Sequence, residues 1–239
     1  VKLKRALYGC VQSARLWFIK LRDTLTALGF TANPYDLCTF NKDVDGEQVT
    51  IAFHVDDLLC TSVNLAALED LVTALESVFA GVSVSRGHVH TYLGMQLTLA
   101  DGYYSIDMSG YLDKILKDRE LTRTTVYPAA LNLMDDDPDS PQLDAKEQKK
   151  FHSDVAKVLF IAKRVRMMVL PAVSVLASKV TRATAQDLSR LDKVFSYLAA
   201  TRDMAMLYKC GGSINPLAFV DASWAVHDDC HGRTGIVIT

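Results

Sequence analysis

Hydrophobic and polar positions recur along this chain in two periods, and the switches between them mark out its elements. Leu16, Phe18, Ile19, Leu21, Leu25 and Leu28 can share one broad apolar face, which predicts a helix starting after Gly9 and stopping at Gly29. Asn33-Pro34 then forces a loop, and Cys38 to Asn41 reads as a short strand ended by the turn-forming stretch Val44 to Glu47. The runs VTIAFHV and LLCTSV are rich in Val, Ile, Leu and Phe without helical spacing. They predict two short buried strands joined in a tight hairpin at Asp56 and Asp57. Leu65 to Phe79 returns to the helical period and closes before Gly81, after which Tyr92 to Leu99 and Tyr103 to Ile106 read as strands around Asp101-Gly102.

Gly110 to Leu121 reads as a short amphipathic helix. From Thr122 to Lys150, Pro128, Pro138 and Pro141 with Asp135, Asp136, Asp137 and Asp139 predict an exposed loop or linker. Phe151 to Thr201 is helical in pattern: one helix to about Met168, a break at Pro171, a second helix to about Val180 and a third from Ala185 to Ala200. PLAFVDASW and the final TGIVIT read as strands. Helix, strands, helix, strands, and then a helical stretch predict an α+β fold with helices on one face of an antiparallel sheet.

Composition adds bounds. With 239 residues, 49% hydrophobic and 23% charged, the chain can bury a sizeable core as one large domain or two modest ones. A net charge of -2 gives no overall field favouring nucleic acid, so binding would rest on local basic groups. Two exist in sequence: Lys2, Lys4, Arg5, Arg15, Lys20 and Arg22, and then Lys157, Lys163, Arg164 and Arg166, either of which is equally compatible with a solvated helix face. Five scattered cysteines form neither a disulfide framework nor a zinc motif and fit an intracellular, reducing compartment. No apolar run approaches the roughly 20 residues that span a bilayer, so no membrane partner is expected. Val1 is not a Met and the chain stops within a strand pattern, which suggests a piece of a longer protein.

The adjacent Asp56 and Asp57 carry the clearest chemical demand. Two like charges side by side are solvated, partly protonated or neutralised by a cation, and a hard divalent metal is the obvious neutraliser. A surface turn carrying Asp-Asp satisfies the same pattern.

Six stretches narrow this. Leu3 to Phe18 (LKRALYGCVQSARLWF), Phe53 to Leu59 (FHVDDLL), Tyr92 to Leu97 (YLGMQL), Gly110 to Leu116 (GYLDKIL), Phe219 to Ala225 (FVDASWA) and Gly232 to Gly235 (GRTG) stand in the order found in copia-type retrotransposon polyproteins. The chain resembles their reverse transcriptase from its second conserved motif onward, running into the start of ribonuclease H. That resemblance implies a reverse-transcriptase palm-like antiparallel sheet with fingers elements in residues 1–108, a helical thumb or connection in 109–209, and the first strands of an incomplete ribonuclease H-like domain in 210–239.

It implies that Asp56 and Asp57 hold magnesium (or manganese) for nucleotidyl transfer, one ion activating the primer 3′-hydroxyl and the other holding the triphosphate. His54 stands where the family carries Tyr, at the position that packs against the primer end. Gly9, Gln12 and Arg15, with Lys4 and Arg5, match the motif that lines the nucleotide and template pocket, with Ala14 in place of the usual Pro and Cys10 in place of Leu. Tyr92, Leu93 and Gly94 resemble the strand that grips the primer, a plain edge strand being the alternative. Lys163, Arg164 and Arg166 would follow the nucleic-acid backbone. Asp221 matches the first ribonuclease H carboxylate, and the crowded His227 to His231 reads as a polar hairpin loop.

The implied partners are an RNA/DNA template-primer, deoxynucleoside triphosphates and other polyprotein segments or a dimer partner, in the cytoplasm and within virus-like particles. The family's third polymerase carboxylate lies upstream of the segment matching Val1, so the isolated chain is expected to lack polymerase activity. The alternative function is a co-opted or decayed non-catalytic module for nucleic-acid binding or protein assembly.

Overall fold

The computed structural model describes residues 7, 9–100, 102–117, 119, 121, 124–211, 215–224 and 232–238. The chain is α+β and divides into two compact units, Val1–Leu93 and Gly94–Thr239.

In the first unit, helix α1 (Val11–Ala27) follows Cys10 and ends in a Schellman turn: Gly29 is left-handed at φ 86°, its N–H donates to Thr26, and that of Phe30 donates to Leu25. Leu21 and Leu25 are buried, whereas Leu16, assigned to the same face by periodicity, is 56% exposed. Strands β1 (Thr31–Ala32), β2 (Thr39–Val44), β3 (Glu47–His54) and β4 (Asp57–Thr61) form an antiparallel sheet in chain order. Asp45 (φ 57°) and Gly46 (φ 83°) make the β2–β3 reversal, both residues left-handed as a type I′ hairpin requires. Along β3, Val49, Ile51 and Phe53 are buried and cluster with Leu21 and Leu25 of α1 and with Leu71 and Leu75 of α2 (Leu65–Val78). The alternate residues Thr50, Ala52 and His54 therefore lie on the sheet face that α1 and α2 do not cover. Asn64 caps α2 by accepting from the Ala67 N–H at 3.1 Å. Strand β5 (Val89–Tyr92) closes the unit.

The expected strand Tyr92 to Leu99 is interrupted. Leu93 (φ 50°) and Gly94 (φ 77°) are both left-handed, so the chain turns tightly before β6 (Met95–Ala100) begins.

In the second unit β6, β7 (Tyr103–Asp107) and β8 (Met206–Lys209) are consecutive antiparallel neighbours. Helices α3 (Ser109–Leu116), α4 (Ala145–Ala162), α5 (Leu170–Ser178) and α6 (Ala185–Ala200) supply the core, centred on Leu112, Phe151, Val158, Leu176 and Phe195. α4 and α6 both start in capping boxes, Asp144 with Glu147 and Thr184 with Asp187. Two expectations are corrected. α4 stops at Ala162 rather than near Met168, and Pro171 opens α5 instead of breaking a helix, because its missing N–H is harmless in a first turn.

The acidic stretch before α4 is also no free linker. Leu143 N–H donates to Ala183, Ala185 N–H to Pro141 and Gln186 N–H to Ser140 Oγ, stitching the loop onto the start of α6. Lys179 and Arg190 neutralise Asp136 there, which removes the repulsion that favoured an open loop. Strands β9 (Ala218–Ser223) and β10 (Arg233–Ile238) pair with each other in a two-stranded antiparallel ladder. Among the described residues no helix is long and apolar enough to cross a membrane.

Candidate metal site at the acidic hairpin

The β3–β4 ladder ends at the pair His54↔Asp57, leaving Val55 and Asp56 as a two-residue turn. Val55 alone of the two is left-handed, at φ 58°, the signature of a type II′ turn, whose first central position ordinarily takes Gly. A β-branched residue there is a genuine outlier and stores strain of about 1–3 kcal/mol. The turn places Asp56 at the tip and Asp57 one step into β4, cross-strand from His54, and all three are exposed. Adjacent exposed carboxylates offer hard oxygen donors from one rigid hairpin, which fits a divalent cation held through one or two carboxylates and completed by other oxygens. Among the described residues no group of three His, Cys, Asp or Glu side chains converges as a metal cage.

Two aromatic residues frame the turn. The indole N–H of Trp17 in α1 donates to the Val55 carbonyl at 2.5 Å. Tyr92 brings its hydroxyl to 3.5 Å from the Ala52 carbonyl. Partial burial, then the negative charge of Asp57, and after these Cys38, Asp36 and Cys60, raise the Tyr92 pKa above the ordinary phenol value. Leu93 and Gly94 form the turn after it.

The other expected residues are placed as follows. Gly9 (φ 85°) lies just before α1, and Gln12 and Arg15 are exposed in the first turns of that helix. Lys2, Lys4 and Arg5 lie outside the described residues, as do His227 to His231. Lys163 is exposed after α4, but Arg164 lays its guanidinium on the Phe160 ring at 3.7 Å and donates to the Phe160 carbonyl. Arg166 is 2% exposed and donates to the carbonyls of Thr201 (2.6 Å) and Arg202 (2.9 Å), with desolvation lowering its pKa. The three cations thus form no common outward stripe. Asp221 is exposed on β9 opposite Gly235. Trp17 and Val55 are absent from the expected set. The signal for Val55 was a β-branched residue at the start of a two-residue turn, while nothing local announces Trp17.

Comparison with known proteins sets this geometry in context. Residues 1–132 match the family model described as reverse transcriptase (RNA-dependent DNA polymerase). The chain is 25% identical to a transposon Ty5-1 protein of Saccharomyces cerevisiae over 99% of its own length and 77% of that protein. It is 25% identical over 98% of its length to the retrovirus-related Pol polyproteins from transposons RE1 and RE2 of Arabidopsis thaliana, and spans only 16% of each. No solved structure matches the chain.

Proposed function

We propose, starting from a chain that belongs to the reverse transcriptase (RNA-dependent DNA polymerase) family, that Asp56 and Asp57 hold magnesium or manganese for nucleotidyl transfer on an RNA/DNA template-primer. The observation carrying this is the hairpin itself: two adjacent carboxylates, exposed at a rigid tip, inside the family-matched region. A bound divalent ion supplies activation of a primer 3′-hydroxyl and charge stabilisation of the leaving pyrophosphate. The protein's own residues hold and orient. Asp56 and Asp57 fix the cation, and His54, cross-strand from Asp57, meets the primer end. Gly9, Gln12 and Arg15 face the incoming nucleotide and template, with Tyr92, Leu93 and Gly94 along the primer.

In this reading the first unit with β6 and β7 forms palm and fingers, helices α3 to α6 act as the thumb, and β9–β10 with Asp221 opens a ribonuclease H-like fold. Lys163 and Arg164 remain the thumb residues offered to a nucleic-acid backbone, whereas Arg166 is buried on the carbonyls of Thr201 and Arg202. The chain spans about one sixth of the Arabidopsis polyproteins, so the activity is assigned to a longer protein, in the cytoplasm, with other polyprotein segments or a second copy as partners.

The test is primer extension on an RNA template by the polyprotein carrying this chain, with magnesium and then with manganese. Asp57→Asn and Asp56→Asn should each abolish product while leaving the protein folded. Extension that survives both substitutions refutes the assignment. Salt-sensitive template-primer binding without extension under any metal would favour a non-catalytic nucleic-acid-binding module.

A further inference from the structure

We propose that Trp17 is a positioning residue for the acidic hairpin: its indole N–H clamps the Val55 carbonyl and so fixes the turn that carries Asp56 and Asp57. The proposal rests on the metal reading above for its functional meaning and on the hydrogen bond for its geometry.

Val55 and Asp56 are the two central residues of the turn, so the Val55 carbonyl belongs to its central peptide. Rotation of that peptide is what separates one turn type from another at nearly constant strand geometry. It changes ψ of the first central residue and φ of the second, and φ of Asp56 aims the Asp56 side chain relative to Asp57. The flanking ladder does not restrain the peptide, because the terminal pair is His54↔Asp57. Val55 itself resists the observed orientation, since the first central position of a type II′ turn ordinarily takes Gly and a β-branched residue fits it poorly. Something outside the hairpin must hold the peptide, and the Trp17 donor does so from 38 residues away.

The indole is well fixed for the task. Its ring packs on Phe79 with centroids 5.1 Å apart, and Phe79 is 9% exposed at the end of α2, with its N–H donating to the Leu75 carbonyl at 2.8 Å. The Lys20 ammonium lies over the other aromatic of this pair, 4.8 Å from the Phe79 centroid. Indole nitrogen is a donor only, so it selects the orientation in which the carbonyl points at α1 and rejects the flipped peptide, which presents an N–H instead.

The experiment uses the ¹⁵N-labelled full chain as wild type, Trp17→Phe, Val55→Gly, the double variant and Asp57→Asn. Phenylalanine keeps an aromatic ring beside Phe79 and removes the donor with the pyrrole part of the indole, and Trp224 is the single other indole to be distinguished. Manganese affinity is read by titration of paramagnetic broadening, alongside the Asp56 amide resonance and indole hydrogen exchange. Trp17→Phe should shift the Asp56 amide and weaken manganese binding roughly five-fold, the equivalent of one net hydrogen bond. Adding Val55→Gly should return at least half of the lost affinity, because glycine adopts the left-handed turn without strain.

A purely structural Trp17 would lower the melting temperature without moving manganese affinity, and Val55→Gly would restore nothing; that pattern overturns the proposal. Manganese binding untouched by Asp57→Asn sinks the metal reading instead, and absence of binding in wild type places the remaining ligand outside this chain. The clamp is then judged on the indole: slow exchange with a shifted Asp56 amide in Trp17→Phe upholds it, and fast exchange in wild type overturns it.

Discussion

Removing the charge of Asp187 should destabilise the second unit by about 3 kcal/mol, far more than removing that of Asp136 in the same network. The Asp187 side chain is 3% exposed and meets Arg190 Nη1 at 3.1 Å and Lys179 Nζ at 3.3 Å, partners that are themselves 4% and 11% exposed. It also accepts from the Thr184 N–H at 3.1 Å as the returning half of the α6 capping box. In Asp187→Asn the amide oxygen can keep the cap, but two buried cations are left with Asp136, which is 61% exposed. Losing one member of a buried pair costs about 3–5 kcal/mol. The adjoining cavity of about 270 Å³, lined in part by Lys179, Arg182 and Asp187, can admit water, which puts the cost at the lower end. At roughly 2–4 °C per kcal/mol for a chain of this size, the melting temperature should fall by about 6–12 °C. Asp136→Asn should cost no more than about 1 kcal/mol, the range of an exposed pair. Urea unfolding followed by far-UV circular dichroism, with both variants at neutral pH, measures the difference. Equal costs for the two, or less than about 1 kcal/mol for Asp187→Asn, would refute the argument that burial sets the value.

Three further outcomes are expected. The Lys179 hydrogen bond, followed by Lys179 and Arg190 charge, holds Asp136 below the usual carboxylate range, so its contribution is whole above the unfolded value near about 3.9 and is lost as pH falls through the lower folded one. The stability gap between wild type and Asp136→Asn should therefore close on acidification, as urea midpoints between neutral pH and about pH 2 will record. Burial pushes the Cys60 thiol up to about 11, so at pH 8 iodoacetamide should modify exposed Cys10 well before Cys60 by peptide mass mapping; the reverse order would place Cys60 elsewhere. Gly29→Ala should destabilise the first unit by about 1 kcal/mol through its φ of 86° alone, because a Cβ there meets only the Lys42 side chain at 3.6 Å; a neutral result in urea titrations would mean that α1 ends differently.

What the sequence disclosed follows the range of the interaction. Gly29 as a helix stop, the reversal within Val44 to Glu47 and the acidic hairpin all depend on residues within a few positions, and each was readable, whereas the caps at Asn64, Asp144 and Thr184 are equally local and were not read. Helical periodicity also picked Leu21 and Leu25 correctly, but it could not exclude Leu16, because only the placement of the β-sheet decides how wide the covered face is. Arg166 shows the same boundary. Basic neighbours suggested a surface stripe, and only the distant carbonyls of Thr201 and Arg202, just past the end of α6, draw that guanidinium inside. Leu93 hid a turn because leucine carries no turn signal, leaving Gly94 as the single clue inside YLGMQL. At the candidate site the carboxylates were visible as a motif, whereas the donor holding their turn lies 38 residues away and has no local signature.

The strand order of the first unit has a kinetic meaning. β1 to β4 pair in the order in which they occur, so the hairpin bearing Asp56 and Asp57 closes only short loops, and hairpins of this kind form in about 1–10 μs. In the second unit β8 joins β7 from roughly 100 residues downstream, after the chain has built four helices, and that closure carries a much larger entropic barrier. Amide protection in a pulsed hydrogen-exchange experiment should thus appear at Ile51 and Leu59 before Tyr208. The hairpin that carries the two carboxylates forms early and locally, and the long-range contact from helix α1 then locks a turn that is already made.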